Sequence, residues 1–441
     1  MTSKTSTMRF ETSGKIMNDK FALNEDLILR KEWFGCLVCN TANREFYQFN
    51  EDAFTILKEM QSPLGIEDLR AGLKTGNVDI ASGDLAHFLE AMMGVGIVVN
   101  NEQAHGALVF YADKEDLRKD CLAAPTSVTL YITEFCPKTC KHCVTEASPN
   151  AKCSREYGVE QWRVILEKLR AFGVCSLVFT GGDPLTKKGI FEIMKIADNL
   201  KFAITLLTDY DGINKEHIDE LKSLRHLADV QVSLDGSNEE SHDTIRGKGS
   251  FQKALKRMRL LQTNKMKYTI STTINNRNIS EIDDIVSIYK EYGASSLYLN
   301  PLAPYGRAKE LMKDWLLSEE QLRWLGKKYL KLLADEKIQV GNPFWKENVA
   351  KTDDENFHPF EGSLTAVSIG IYNFSIGSRG ECHLDSKMKS EGILNLGNAL
   401  EDDLEAMWYD SRLDHLRSFY AKDRFTYVDQ STIEHQQKCL A

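Results

Sequence analysis

The chain has 441 residues, of which 42% are hydrophobic and 27% charged, with 28 glycines, 9 prolines and 10 cysteines. That length exceeds a single compact core and predicts two or three domains, the composition argues against long disorder, and the cysteines are too sparse for a disulfide scaffold. The formal net charge of -9 at pH 7, with no broad basic stripe against it, argues against a nucleic-acid partner, because neutralising phosphates needs clustered Lys and Arg.

Residues 1–24 are polar and lack the apolar run of a secretory signal, and nowhere do 18 apolar residues stand together; a cytoplasmic protein with no membrane partner is expected. From Asp26 the pattern changes. Asp26–Arg30, Gly35–Thr41 and Glu45–Phe49 read as short strands with turn chemistry between them. Asn50 is placed to cap a helix over Glu51–Met60, in which Phe54, Ile56 and Leu57 recur on helical spacing. Helices over Gly65–Leu73 and Ser82–Met93 follow, closing on the apolar Val95–Val99. Strands followed by helices within residues 1–100 predict a winged-helix-like α+β module. Cys36 and Cys39, three apart in a predicted strand, fall on opposite faces, which predicts one core residue and one exposed residue and not a metal pair.

Residues 101–124 read as a linker. Beyond it apolar strands alternate with amphipathic helices: strands at Ser127–Ile132, Ser176–Thr180, Phe202–Leu207, Val230–Leu234, Tyr268–Thr273 and Ser296–Asn300, with helices at Val159–Phe172, Ile190–Leu200, Ile218–Leu224, Phe251–Leu261 and Ile282–Tyr292 between them. That alternation predicts a parallel sheet over residues 125–335, an α/β partial (β/α)6 barrel whose site lies at the strands' C-terminal ends. Ser318–Asp335 is a further amphipathic helix, after which the rhythm is lost and residues 336–441 read as a separate extension.

Immediately after the first barrel strand come Cys136, Cys140 and Cys143, spaced four and three apart with His142 beside the last. Three thiolates in one loop can each reach an iron of one cubane and leave its fourth iron open. Zinc is the competing reading, but it wants a fourth ligand, and His142 is poorly placed beside Cys143. The second strand ends in Thr180, Gly181, Gly182 and Asp183, where missing side chains allow close backbone approach; alone this is only a strand-to-helix turn. Cys153 and Cys175 are expected near the barrel mouth, as hydrogen-atom donors or, more commonly for free cysteine, as packing.

The CxxxCxxC spacing resembles the radical S-adenosylmethionine superfamily over residues 127–310. The resemblance implies a [4Fe-4S] cluster on Cys136, Cys140 and Cys143 whose open iron binds S-adenosylmethionine, which on reduction yields a 5′-deoxyadenosyl radical. By the same resemblance His142 packs near adenine, and Gly181, Gly182 and Asp183 form the cofactor-amine motif, with Asp183 where Glu is usual. Thr208 precedes Asp209 where Thr-Asn is frequent. Val232–Gly236 followed by His242–Gly247 resembles the peptide-maturing branch, which implies that Ser233 and Arg246 bind the cofactor's ribose and carboxylate region; an Arg suits a carboxylate by its planar fork. Pro304–Ala308 matches a further loop of that branch.

Phe49–Ala53, opening the first helix, resembles the precursor-peptide recognition element, which binds a leader peptide as an added strand. The C-terminal part resembles the SPASM extension in outline, through Val367–Gly370, Gly380–Asp385 and Leu396–Asn398. However, Val367 and Asp385 stand where the first two cluster ligands belong, and only Cys382 and Cys439 remain there. A SPASM-like scaffold without an auxiliary cluster is expected. The implied activity is modification of a ribosomally made precursor peptide, foremost an intramolecular cross-link, with flavodoxin or ferredoxin as electron donor. Epimerisation, radical oxidation of a small metabolite and a non-catalytic peptide-binding scaffold are the alternatives.

Overall fold

The computed structural model describes residues 19–76, 78–100, 107–110, 117–119, 121–335, 373–384, 394–414 and 417. The described residues divide into two compact units, one of residues 19–40 and 46–110, the other of residues 117 onward with Thr41–Glu45. No helix among the described residues is long and apolar enough to cross a membrane.

In the first unit, strands β1 (Phe21–Leu23), β2 (Leu27–Glu32), β3 (Gly35–Asn40) and β4 (Glu45–Phe49) precede helices α1 (Glu51–Glu59), α2 (Ile66–Thr75) and α3 (Ser82–Gly94), then β5 (Val98–Asn100) and β6 (Leu108–Phe110). Asn50 caps α1 as expected, its side chain accepting from the Ala53 amide at 3.0 Å. The sheet order is β4-β3-β2-β6, and β1 pairs with β5. Two expectations are corrected. Leu108–Phe110, inside the expected linker, runs parallel to β2 as a fourth strand; it is too short for a period and its partner lies far back in the chain. Cys36 and Cys39 do lie on opposite faces of β3, but both are 0% exposed, because β3 is an interior strand whose every residue is buried.

The second unit is a partial (β/α)6 barrel. Strands β7 (Ser127–Thr133), β8 (Ser176–Gly181), β9 (Ala203–Leu207), β10 (Leu227–Ser233), β11 (Tyr268–Ile274) and β12 (Ser296–Pro301) pair in parallel in chain order. Helices α4 (Val159–Ala171), α5 (Ile190–Asn199), α6 (Lys215–Lys222), α7 (Glu239–Arg246), α8 (Ser250–Thr263) and α9 (Ile282–Tyr292) cross between them, followed by α10 (Ala308–Leu311) and α11 (Glu319–Leu333). Alternation along the strands makes the core: Val128, Leu130, Leu177, Phe179, Val230 and Val232 are fully buried with Leu166, Ile193 and Met258 of the helices, each such side chain contributing about 1.5–3 kcal/mol. The intervening Thr129, Val178 and Gln231 point to the other face and are half-buried.

The expected separate extension is also corrected. β13 (Asn373–Ile376) pairs in parallel with β7, β14 (Glu381–His383) pairs with β13, and β15 (Gly397–Asn398) with β14, so one nine-stranded sheet runs β12-β11-β10-β9-β8-β7-β13-β14-β15. Helix α12 (Leu404–Trp408) locks the added strands down, the Trp408 indole donating to Leu122 O at 2.8 Å and the Tyr409 hydroxyl to Ala123 O at 3.0 Å. Val367, Asp385 and Cys439 lie outside the described residues.

Candidate active site

Strand β7 ends at Thr133, and the chain turns at once into the cysteine loop, so Cys136, Cys140 and Cys143 stand at the strands' C-terminal ends. Arg307 clamps that loop. Its Nε donates to Cys140 O at 2.8 Å, its guanidinium to Ala147 O at 2.8 Å and its amide to Cys143 O at 3.1 Å. The neighbouring Gly306 has φ +53, and a Cβ there would stand 2.5 Å from Cys143 O, so the Pro304–Ala308 loop holds the cysteine loop by direct backbone packing.

Burial pushes the Cys136 thiol up to about 12 and also raises Cys140, where the Arg246 cation works the other way. Thiols so placed are neutral unless a bound metal compensates for the charge, and a coordinating thiol is deprotonated outright. Among the described residues no three His, Cys, Asp or Glu side chains converge as ligands of one ion. A cubane instead takes each thiolate on a separate iron, and this donor set fits it.

At the end of β8 the glycines answer to the chain itself. Gly181 has φ +124, and a Cβ there would stand 2.4 Å from Thr133 O, while one on Gly182 would lie 1.9 Å from Phe135 O. Their backbones press on the cysteine loop, with Gly182 N donating to Thr133 O at 2.6 Å and Asp183 N to Phe135 O at 2.9 Å. The Asp183 carboxyl is 1% exposed and accepts from Leu185 N at 3.1 Å, Thr208 Oγ1 at 2.8 Å and Asp209 N at 2.8 Å. Burial pushes it up to about 6 despite those donors. Asp183 and Thr208, both expected at the cofactor, are thus each other's partners.

A buried ionic chain ties these strand ends together. Arg246, at the end of α7, reaches Asp235 after β10 through Nε and Asp209 after β9 at 3.1 Å. His142 Nε2 lies 3.0 Å from Asp235 and 3.2 Å from Arg246, while its buried Nδ1 has no partner among the described residues. Burial raises the Asp235 carboxyl, but Arg246 and His142 outweigh it and hold it well below the usual carboxylate range. Asp209 is held low in the same way against burial by Arg257, Arg246 and Lys138. Ser233 ends β10 on the half-buried face opposite Val232 and Leu234. His142, Asp183, Thr208, Ser233 and Arg246 therefore sit together at one end of the barrel with the three cysteines.

Cys153 stands at that end too, its Sγ 4.0 Å from Thr133 Oγ1, next to a Glu156–Lys187 pair at 2.9 Å. Cys175 does not. It precedes β8, fully buried, its amide donating to Thr126 O at 3.1 Å, so it lies at the opposite end of the strand from Gly181. The expectation that it is near the barrel mouth is corrected by strand direction. Sequence reasoning missed Lys138 and Arg257. Lys138 was legible only as a charge between two cysteines; Arg257, 2% exposed on α8 between Ala254 and Met258, gave no local sign.

The family model of the radical SAM superfamily matches residues 130–289. An AdoMet-dependent heme synthase of Methanosarcina barkeri is 29% identical over 188 residues, 42% of this chain and 53% of that protein. The sporulation killing factor maturation protein SkfB of Bacillus subtilis is 31% identical over 201 residues, 45% of this chain and 48% of that protein. The chain thus spans about half the length of these curated relatives. In fold it is similar to Streptococcus suis SuiB bound to precursor peptide SuiA, with TM-score 0.69 and 18% identity over 92% of this chain and 90% of that chain. Residues 130–289 thus form a radical SAM domain.

Proposed function

We propose that this chain is a peptide maturase that abstracts a hydrogen atom from a ribosomally made precursor peptide and forms an intramolecular cross-link. The observation that carries the reading is one loop of three cysteines, clamped by Arg307 at the strands' C-terminal ends and joined through its own His142 to Asp235 and Arg246. The kinship to SkfB and the fold shared with SuiB support a peptide as substrate.

In this reading Cys136, Cys140 and Cys143 hold a [4Fe-4S] cluster, and His142, Gly181, Gly182, Asp183, Thr208, Ser233 and Arg246 surround S-adenosylmethionine. When bound, that pair supplies an organic radical able to take hydrogen from carbon. The chain's own part is placement. Arg307 fixes the loop carbonyls, Asp235 orients the Arg246 fork, and the unpartnered His142 Nδ1 is left for a ligand. The N-terminal unit would dock the leader peptide at its sheet edge, a flavodoxin or ferredoxin in the cytoplasm would supply the electron, and the extension would carry no auxiliary cluster.

The test is anaerobic reconstitution with S-adenosylmethionine, a reductant and candidate precursor peptides. Formation of 5′-deoxyadenosine, which carries away one hydrogen, is expected with a peptide lighter by two hydrogens, the second leaving as a proton while S-adenosylmethionine, ending as methionine and 5′-deoxyadenosine, is the two-electron oxidant overall. Protein with a complete iron and sulfide complement that yields no 5′-deoxyadenosine sinks the reading. Epimerisation is the second reading, favoured by a thiol, Cys153, at the site end of the barrel; it leaves the peptide mass unchanged.

A further inference from the structure

The cysteine loop carries a buried lysine that cysteine ligation does not explain. Lys138 is 9% exposed, and its ammonium lies 2.7 Å from Asp209 and 3.0 Å from Asp211. Asp209 is gripped in addition by Arg246 and by the fully buried Arg257, which also donates to Tyr210 O at 3.1 Å. A buried ammonium costs several kcal/mol unless it is paired, so a lysine held here without solvent answers a charge across from it. The buried Lys138, Arg246 and Arg257 face Asp209, Asp211 and Asp235, and the exposed Lys253 adds a fourth cation at Asp211, 3.0 Å away. Lys138 is the one member of this group that belongs to the cysteine loop itself; Asp209 is its counterpart on the barrel wall.

We infer that Lys138 and Asp209 are a positioning pair that docks the cysteine loop against the end of β9 and sets the electrostatic potential felt by the redox group held there. The inference rests on the cluster reading of the three cysteines. The reduction potential of an iron–sulfur group responds to net charge and solvent exposure around it. Deleting the cation disfavours the added electron, and deleting the anion favours it. A unit charge about 10 Å away, at an effective dielectric of about 20, changes the reduced-to-oxidised ratio roughly tenfold. A pair that acted only as a mechanical latch would behave differently, since breaking it from either side would loosen the loop in the same way.

The experiment is an anaerobic redox titration, followed by electron paramagnetic resonance, of reconstituted full-length Lys138→Met, Asp209→Asn, the double variant and Lys138→Arg. At a fixed solution potential the reduced-to-oxidised ratio should fall roughly tenfold in Lys138→Met and rise roughly tenfold in Asp209→Asn. It should return to within about threefold of the parent in the double variant and in Lys138→Arg. Single substitutions that shift the ratio in the same direction, or by less than about threefold, overturn the inference. Should a single variant lose its iron, the charge-balanced double variant should retain it, and equal loss in the double variant overturns the inference as well. The titration needs no turnover, so parent protein that holds a cluster but makes no 5′-deoxyadenosine defeats the proposed activity and leaves this pair still tested.

Discussion

Strand β7 borders two cysteine-bearing segments whose thiols meet different neighbours. The loop that follows it holds Cys136, Cys140 and Cys143 among cations and hydrogen-bonded carbonyls, with Arg246 drawing the Cys140 thiol back toward ionisation against its burial. The strands added alongside it, β13 to β15, hold Cys382 at 0% exposure, packed with Leu384, Leu396 and Met407, where burial and the neighbouring Glu381 both raise the thiol. Burial raises both thiols, and the difference is that Cys140 has a cation beside it; in the proposed reading it is that neighbour, added to similar burial, that separates a ligand from a packing residue.

Three substitutions bear on that contrast. Cys140→Ser should abolish it from the loop side, with iron incorporation failing and 5′-deoxyadenosine falling below roughly 1% of the parent, because two remaining thiolates do not hold a cubane; a variant that still incorporates a full complement and turns over refutes the division. The polar end of the barrel should also be sensitive to acid. His242 is buried, its Nδ1 accepting from Asp235 N at 3.1 Å, and burial together with the Arg246 cation lowers it from 6.5 to about 4. The folded protein therefore holds His242 neutral while the unfolded chain takes up a proton near pH 6.5. Its contribution is fully present above pH 6.5 and is lost as pH falls toward 4, at about 1.4 kcal/mol per unit and up to about 3 kcal/mol. Asp183, raised from 3.8 to about 6, works oppositely, since the folded state protonates first and gains stability as pH falls from 6 to 3.8. The difference in urea midpoint between the parent and His242→Gln isolates the histidine, and a difference that stays constant from pH 7 to 4.5 would show that it carries none of this dependence. The smallest effect belongs to the added strands: Cys382→Ala should keep iron content and turnover and cost about 1–2 kcal/mol in thermal unfolding, as a small cavity in an apolar cluster does. Loss of iron in that variant would move Cys382 into the ligand class.

Much of the fold was legible because its elements are periodic. The helices over 159–171, 250–263 and 282–292 and the strands between them stand within a few residues of their sequence-based bounds, since each presents a full apolar stripe or alternation. What escaped was short or distant. Leu108–Phe110 and Asn373–Ile376 have too few residues for a period, and each becomes a strand only by pairing with β2 or β7. The glycines at 181 and 182 were legible as sites of close approach, but what approaches is the backbone of Thr133 and Phe135, which spacing cannot disclose.

By itself the sequence determined the alternating barrel, the winged-helix-like order of strands and helices, and the cysteine spacing on which the proposed chemistry rests, because each is written in neighbours a few residues apart. Only the tertiary structure decided that the last strands extend the barrel sheet, that Cys175 lies at the wrong end, and that Lys138, Asp209, Asp235, Arg246 and Arg257 close into one ionic chain. Those outcomes depend on which strand ends come together in space, and a buried charge is tolerable only where a partner from a distant segment arrives to meet it.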